Sequence, residues 1–400
     1  MKKKIILIVL DGLADEKIPQ LKNKTPLEAA DTPNLNFFSK FGILGSALAW
    51  QKRGHLPTSE ETHLAIFGYH PERENPNRGV LEALGAKIKI KKDNIYFRGN
   101  FATVDFKGRI VDRRAQRIEK TEKLISALNK IKIKGAKIFV KKSFGHRFIL
   151  VLSGNCLSEK VTSNDPKKIG VFPEKFRAQK KEAKKTAVIL QEFIEKSRAV
   201  LENHPENKKR ILQGLLPANY LLLRGAGKYK KVKTFSEKYF LKAGFVAGGT
   251  LYKGIGRFLG MKEIEVKGAN GMPNTNLRGK VMAIVKNLKR FNFLFLHIKA
   301  TDTFAEDGNF FSKKEFIEKV DKNLNPLLNL KNVLICVTGD HPTSSLKKSH
   351  IAGENPVLIF GTKNFDKIEK FSEENAKKGS LGKFPQLNLM KKILGLLDAQ

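Results

Sequence analysis

The chain has 400 residues and a mass of 45.0 kDa, which is enough for about two domains with their own cores. Lysine and arginine number 76 against 39 acidic residues, a net charge of +37, yet 41% of the residues are hydrophobic, so the composition excludes an intrinsically disordered chain. The only cysteines, Cys156 and Cys336, exclude a disulfide scaffold and a cysteine-ligated zinc module, and they favour a reducing, cytoplasmic location.

The large positive charge raises the expectation of a polyanionic partner such as nucleic acid or an anionic membrane surface. The basic residues are spread along the whole chain, however, and they match no zinc-finger, RRM or basic-zipper pattern. We therefore predict a solvated basic surface without a dedicated nucleic-acid site. No stretch approaches ~18 uninterrupted apolar residues, so the sequence predicts no membrane-spanning segment.

Short apolar runs bounded by polar turns recur along the chain and are typical of strands buried on both faces of a mostly parallel sheet. They cover residues 5–10, 220–223, 291–297, 333–337 and 357–360. The first run ends after six residues without a signal-peptide cleavage site, so it predicts a strand. Helical patterns alternate with the runs, which predicts an α/β fold with helices on both faces of the sheet.

The middle of the chain has a different pattern. An amphipathic helix is predicted over residues 173–203 and should end at His204 and Pro205, while residues 87–90 and 137–140 resemble short alternating strands. The sheet-like runs of the first 70 residues resume only after about residue 215. We therefore predict one discontinuous domain, 1–72 with 216–400, interrupted by a smaller α/β domain over 73–215.

Three aspartates stand just beyond apolar runs, namely Asp11, Asp302 and Asp340. His341 follows Asp340 directly, and His350 precedes the run 357–360. In an open α/β sheet that edge is where ligands bind, and such a cluster would repel itself unless cations lay within it. Each aspartate alone could be a helix N-cap. Together they predict a site for one or two divalent metals.

Ser59 is the candidate nucleophile. It lies four residues before His63, and by itself this spacing could mean no more than a cap on a short helix. Beside a dimetal cluster, however, coordination could deprotonate the hydroxyl and hold it in position for attack on phosphorus.

Several long motifs occur in order along nearly the whole chain. They are Ile-Leu-Ile-Val-Leu-Asp-Gly ending at Gly12, Thr-Pro-Leu-Glu-Ala-Ala-Asp-Thr-Pro-Asn-Leu from Thr25, Arg-Gly-Val-Leu-Glu-Ala-Leu-Gly from Arg78, Phe-Arg-Gly-Asn-Phe-Ala-Thr-Val-Asp from Phe97, Asp-Arg-Arg-Ala-Gln-Arg-Ile from Asp112, and Thr-Gly-Asp-His from Thr338. With these motifs the chain resembles the archaeal-type cofactor-independent phosphoglycerate mutases of the alkaline phosphatase superfamily.

The resemblance implies an isomerase that interconverts 3-phosphoglycerate and 2-phosphoglycerate without bisphosphoglycerate. It implies that the discontinuous domain is a metal-binding phosphatase-like domain and that the insert is a phosphotransferase domain that binds substrate. It also implies two divalent ions per chain, with Mn²⁺ the first choice and Mg²⁺ or Co²⁺ as alternatives.

The same resemblance implies roles for individual residues. Asp11, Ser59, Asp340 and His341 match the ligands of one ion, and Ser59 matches the serine that is phosphorylated during turnover. Asp302 and His350 match ligands of the other ion, and Lys253 matches a lysine beside metal and phosphate. Asp112 is the candidate general base for the substrate hydroxyl. The candidate clamp for the anionic substrate consists of Arg78, Arg98, Arg113, Arg114, Arg117, Arg147 and Arg224.

The sequence departs from the family pattern at Glu306, which stands where the family has a metal-ligand histidine. Glutamate can bind a divalent cation through oxygen, so the site either survives with a preference for Mn²⁺ or Mg²⁺ over Zn²⁺, or it has lost its ion. Pro342-Thr-Ser also replaces the usual Ser-Thr-Pro after His341. The alternatives to a mutase are therefore another phosphatase or phosphotransferase of the superfamily and a catalytically weakened binding protein.

Overall fold

The computed structural model describes residues 4–398. The strands, numbered in chain order, are β1 (Lys4–Leu10), β2 (Gly42–Leu48), β3 (Ile95–Val104), β4 (Ile110–Asp112), β5 (Lys137–Lys142), β6 (Arg147–Ser153), β7 (Tyr220–Lys228), β8 (Ala243–Val246), β9 (Lys262–Glu263), β10 (Phe293–Ile298), β11 (Val333–Gly339), β12 (Thr343–Ser344), β13 (Ser349–His350), β14 (Glu354–Phe360) and β15 (Gly382–Pro385).

The α-helices are α1 (Pro26–Ala29), α2 (Pro33–Lys40), α3 (Ser59–Ile66), α4 (Pro71–Glu74), α5 (Arg78–Gly85), α6 (Glu122–Leu128), α7 (Lys184–Glu202), α8 (Pro205–Leu212), α9 (Phe235–Tyr239), α10 (Thr250–Phe258), α11 (Leu277–Asn287), α12 (Ala300–Glu306), α13 (Phe310–Leu324), α14 (Glu373–Ala376) and α15 (Leu389–Asp398). Short 3-10 turns cover Pro19–Leu21, Ala115–Arg117, Lys181–Ala183, Asn325–Leu327 and Gln386–Asn388. Within 4–398, no helix is both long and apolar enough to cross a membrane.

The first compact unit runs to Asn75 and resumes at Val232. Its sheet has the order β15-β2-β14-β11-β1-β10-β8-β9, and β1 pairs in parallel with both β10 and β11. Only the pairs of β14 with β11 and with β2 are antiparallel. One face packs on α2, α11 and α13, and the other packs Phe67 and Phe235 against β10. The predicted α/β class with a mostly parallel sheet is confirmed.

The second compact unit, Pro76–Lys231, contains an antiparallel sheet in which β3 pairs with β4, β6 and β7, and β5 pairs with β6. Helix α5 covers one face with Val80 and Ala83. Helices α6 and α7 cover the other face, with Leu124 and Phe193 among the buried residues of that core.

Three local predictions are corrected by the structure. The run 220–223 begins β7, which belongs to the inserted unit, so the chain returns to the first unit at residue 232 and not at 216. A short apolar run fits a buried strand of either sheet, so its pattern alone does not show to which unit it belongs. Residues 87–90 form no strand. The predicted 173–203 helix starts only at Lys184, because the preceding residues form extended hydrogen bonds with 160–164.

Candidate functional site

Three aspartates lie beyond neighbouring strands of the central sheet. Asp11 follows β1, Asp340 follows β11, and Asp302 lies in α12 just after β10. Because β1 pairs in parallel with both other strands, their carboxyl ends meet at one edge of the sheet. All three side chains are buried, so the fold brings together the carboxylates that the sequence singled out.

The first group of potential metal ligands consists of Asp11, Asp340 and His341, whose ligand atoms all lie within 4.8 Å of one another. His341 Nε2 is 3.1 Å from Asp340 Oδ2 and 3.8 Å from Asp11 Oδ1. Ser59, the first residue of α3, is only 5% exposed, and its Oγ lies 3.2 Å from the same His341 nitrogen. The candidate nucleophile therefore faces this group directly.

The second group consists of Asp302, His341 and His350. His350 Nε2 lies 3.5 Å from Asp302 Oδ1, and the rings of His341 and His350 stack with centroids 3.7 Å apart. Burial opposes the effect, but the charge of Lys299 and the hydrogen bond with His350 hold the pKa of Asp302 well below its usual value. Asp302 is therefore an ionised carboxylate at neutral pH, as a metal ligand must be.

Glu306 lies at the margin of this second group. It stands one helical turn after Asp302 in α12, and its Oε1 is 4.0 Å from His350 Nε2. Its side chain is 42% exposed, whereas that of Asp302 is 2% exposed. Glu306 therefore lies beside the second group, but it is not one of the residues whose ligand atoms all lie within 4.8 Å of one another.

The two groups fit divalent cations. Neither carboxylate oxygen of Asp11 has a hydrogen-bond partner among residues 4–398, although both are buried. A buried carboxylate without hydrogen bonds is costly, and a cation coordinated by its oxygens would remove that cost. The donors are carboxylate oxygens and imidazole nitrogens, a set that suits Mn²⁺ and its relatives.

A lysine and two further histidines also contact these carboxylates. Lys299 Nζ lies 2.7 Å from Asp302 Oδ2 and 3.7 Å from Asp11 Oδ2. His297 Nε2 is 3.2 Å from that same Asp11 oxygen, and His63 Nδ1 is 3.3 Å from Asp340 Oδ2. The inner oxygens of Asp11 and Asp302 meanwhile face His341 and His350.

Thr343 joins the two groups. Its buried hydroxyl donates to Asp302 Oδ1 at 2.9 Å and lies 3.1 Å from His341 Nδ1. Because the hydroxyl proton is committed to Asp302, Thr343 accepts the Nδ1–H of His341, which leaves Nε2 free to act as a ligand. Gly12 permits this approach: its φ is +61°, and a Cβ there would lie 2.5 Å from Thr343 Oγ1.

Lys253, expected beside metal and phosphate, stays a prediction. Its Nζ pairs with Glu263 at 3.1 Å, and within residues 4–398 no hydrogen bond or ion pair joins it to the two groups. Lys299, which was not singled out from the sequence, contacts the carboxylates directly. Its only sequence signal is its position three residues before Asp302, directly after a strand.

In the inserted unit, an arginine-rich cluster is built around a buried carboxylate. Arg98 on β3 is 4% exposed, with Nε 3.8 Å from Glu82 Oε1, and Arg78 Nε lies 3.3 Å from the same oxygen. Burial, together with the nearby charges of Arg224, Arg78 and Arg147, holds the pKa of Arg98 well below its usual value. Several guanidinium groups around one carboxylate leave an excess of positive charge, which predicts an anion site.

A second carboxylate holds other members of the predicted clamp. Arg113 donates to both oxygens of Asp165, at 2.9 and 2.8 Å, and Arg224 Nη1 lies 3.9 Å from Asp165. Glu82 lies four residues after Arg78, a spacing that could have indicated this pair on a helix, whereas nothing in the sequence around Asp165 indicates its arginine partners.

Asp112, the candidate base, forms a turn. Its two oxygens accept the backbone N–H groups of Arg114 and Gln116, at 2.6 and 2.9 Å. The next residues, Ala115, Gln116 and Arg117, have φ values of 44°, 52° and 55°. Three successive non-glycine residues in the left-handed region store strain, which is common where a loop must place functional side chains.

His146 shows how electropositive this region is. It is 8% exposed, and burial together with the charges of Arg147, Arg98, Arg114 and Arg117 lowers its pKa to about 2. The imidazole is therefore neutral at physiological pH. All seven predicted arginines lie in the inserted unit, and each of them has a charge interaction with Glu82, Asp165 or His146.

Comparison with known proteins supports a single family. A family model described as 2,3-bisphosphoglycerate-independent phosphoglycerate mutase matches residues 40–207. Enzymes of that name from Archaeoglobus fulgidus and Thermococcus kodakarensis are 42% and 40% identical, covering 98% and 99% of this chain and 98% of each relative.

Solved structures agree with the sequence relatives. A protein of Pyrococcus horikoshii superposes with a TM-score of 0.85 at 32% identity, covering 100% of this chain and 98% of its own. The cofactor-independent phosphoglycerate mutase of Thermoplasma acidophilum has a TM-score of 0.68 at 34% identity, covering 99% and 100%.

Proposed function

The chain belongs to the 2,3-bisphosphoglycerate-independent phosphoglycerate mutases, which are isomerases, and we propose that it interconverts 3-phosphoglycerate and 2-phosphoglycerate by way of phosphorylated Ser59. The observation that carries the proposal is the position of Ser59 Oγ, 3.2 Å from His341 Nε2 within the first ligand group.

Asp11, Ser59, Asp340 and His341 would hold one divalent ion, and Asp302, His350 and Glu306 the other. When bound, the ions supply positive charge that lowers the pKa of the serine hydroxyl and neutralises the phosphoryl oxygens. Mn²⁺ suits the oxygen and nitrogen donors best, with Mg²⁺ and Co²⁺ as alternatives.

The residues of the chain account for the remaining steps. Ser59 Oγ loses its proton and attacks phosphorus, the bond from phosphorus to the glycerate oxygen breaks, and a proton returns to that oxygen. The arginines of the inserted unit bind the carboxylate and hold the glycerate in place. The other hydroxyl of the glycerate then gives its proton to Asp112, the candidate base, and attacks the phosphoserine. The phosphoryl group returns to a different carbon, and Ser59 Oγ is released and takes up a proton.

Trapping the phosphoserine tests this proposal. Manganese-loaded protein is mixed with 3-phosphoglycerate, quenched in acid and mapped by mass spectrometry. We expect one added phosphoryl group on Ser59, absent from Ser59→Ala and present in the control Ser39→Ala, whose buried hydroxyl donates to Ile368 O away from the site. Phosphate release without 2-phosphoglycerate would instead identify a phosphatase.

A further inference from the structure

One face of the sheet in the inserted unit carries a group of polar side chains. Arg98 and Asn100 are two residues apart on β3, so both point to the face covered by α5. Asn100 lies opposite Arg147 on β6, and Arg98 lies opposite Arg224 on β7. Asn100 is therefore a neutral residue placed among guanidinium groups.

The amide of Asn100 has an open acceptor. Its Nδ2 donates to the carbonyl of Arg113 across a long distance of 3.5 Å, a contact that favours this orientation of the amide because a carbonyl can only accept. Its Oδ1 is buried and accepts no hydrogen bond from any residue in 4–398, and the residue is only 5% exposed. Burying an oxygen without a hydrogen-bond partner is unfavourable, so a ligand that donates to it would remove that penalty.

The chemistry of the cluster specifies such a ligand. Guanidinium groups only donate hydrogen bonds, so they recognise carboxylate and phosphate oxygens but cannot accept from a hydroxyl. The carboxylates of Glu82 and Asp165 are already engaged by arginines. Asn100 Oδ1 and His146 Nε2 both lack a hydrogen-bond partner among residues 4–398, and of the two only the amide oxygen is restricted to accepting, which suits it to receive a hydroxyl proton.

We propose that Asn100 is a specificity-determining residue whose Oδ1 accepts a hydrogen bond from the free hydroxyl of a phosphorylated hydroxy acid. This inference rests on the proposed function, because it assigns the arginine cluster to phosphoglycerate. The arginines recognise the negative charges, which many metabolites share, and Asn100 distinguishes the acids that carry a hydroxyl from those that do not.

The test compares two ligands that differ by one hydroxyl. These are 3-phosphoglycerate, measured by its KM, and 3-phosphonooxypropanoate, measured by its inhibition constant against the same reaction. For the wild-type enzyme we expect the ratio of inhibition constant to KM to be about 10 or more. Asn100→Leu is an apolar replacement of similar shape. In this variant we expect the ratio of inhibition constant to KM to fall to about 2 or less, because KM rises while the inhibition constant stays nearly constant.

Two further variants keep the test decisive. Asn100→Asp retains an acceptor oxygen, so the ratio should persist even if its negative charge weakens both ligands. Asn100→Ala removes the acceptor with less disturbance of packing, and it should repeat the Leu result if Asn100→Leu does not fold.

The possible results distinguish a failure of this inference from a failure of the proposed function. A ratio that is unchanged in Asn100→Leu and Asn100→Ala, or an equal loss for both ligands, would show that Asn100 is only structural and would overturn the inference while leaving the mutase intact. A wild-type enzyme that neither isomerises nor binds 3-phosphoglycerate would remove the proposed function itself.

Discussion

The two compact units build their candidate sites from opposite charges. In the first unit, Asp11, Asp302 and Asp340 converge at the ends of parallel strands, and the buried oxygens of Asp11 accept no hydrogen bond within residues 4–398. In the inserted unit, arginines outnumber the two carboxylates that they contact, Glu82 and Asp165. The excess negative charge in the first unit suits cations, and the excess positive charge in the inserted unit suits an anionic substrate.

The overall charge follows the same division. Residues 76–231 contain 38 lysines and arginines against 14 acidic residues, whereas the rest of the chain contains 38 against 25. Much of the net charge of +37 therefore belongs to the unit that carries the arginine cluster. Buried charge of one sign is expensive, so we expect each unit to lose stability or function when its few compensating groups are removed.

The largest effect should come from the nucleophile of the first unit. Ser59→Ala removes the only oxygen that the proposal uses for phosphoryl transfer, so mutase activity should fall at least ~1000-fold. The methyl group still packs, so the melting temperature should change little. Activity measured by a coupled assay near the wild-type rate would contradict the role of Ser59, and Ser39→Ala serves as the control.

Removing the carboxylate at the centre of the arginine cluster should be the next largest effect. Glu82→Gln keeps the shape but leaves Arg78 and Arg98 without their anion, which should lower the free energy of unfolding by about 3 kcal/mol. Added phosphate should narrow this deficit, because an anion bound to the folded cluster replaces the lost charge.

Denaturant unfolding with and without phosphate measures the Glu82 effect. The control is Glu192→Gln, which removes an exposed pair with Lys196 and should cost no more than about 0.5 kcal/mol. A deficit in Glu82→Gln as small as that of the control would mean that the cluster does not depend on its carboxylate.

Replacing Thr343 should have an intermediate effect, and the property it changes is the Mn²⁺ affinity of the first unit. Thr343→Val keeps the shape but removes the hydroxyl that contacts Asp302 and His341, so Mn²⁺ affinity should fall by about 10-fold or more. Thr343→Ser restores the hydroxyl and should restore affinity. Isothermal titration of Mn²⁺ into metal-stripped protein measures this, and equal affinities in the Val and Ser variants would exclude the positioning role.

The smallest effect is expected at Glu306, because its side chain is partly exposed at the edge of the second group. Glu306→Gln should weaken binding of one of two Mn²⁺ ions by up to ~10-fold through the loss of an anionic ligand. Glu306→His should retain two ions and activity. If Gln changes neither the metal content nor the rate, Glu306 is not a ligand.

The sequence predicted the first unit better than the second for a physical reason. An apolar run followed by an aspartate marks a buried strand and its carboxyl end, so the edge with Asp11, Asp302 and Asp340 was visible before the structure. The contacts that support this edge were harder to predict. Lys299 is marked only by its place three residues before Asp302, and the contacts of Thr343 follow from no spacing in the sequence. The place of Lys253 beside the metals stays a prediction, and its Nζ pairs with Glu263.

In the inserted unit the sequence indicated which arginines matter but not what organises them. Strand β7 was assigned to the wrong unit, and its pairing with β3 is what places Arg224 opposite Arg98. The roles of Glu82 and Asn100 depend on that register and on the packing of α5. Long-range strand pairing is determined by the whole sheet, which a short apolar pattern does not reveal.

The central claim is that this chain is a metal-dependent phosphoglycerate mutase that needs no bisphosphoglycerate. The most direct measurement is the formation of 2-phosphoglycerate from 3-phosphoglycerate, without added bisphosphoglycerate, by metal-stripped protein before and after Mn²⁺ is restored. We predict no detectable conversion by the stripped protein and full conversion to equilibrium after Mn²⁺ is added. Absence of 2-phosphoglycerate with Mn²⁺ bound, or equal rates with and without metal, would contradict the account.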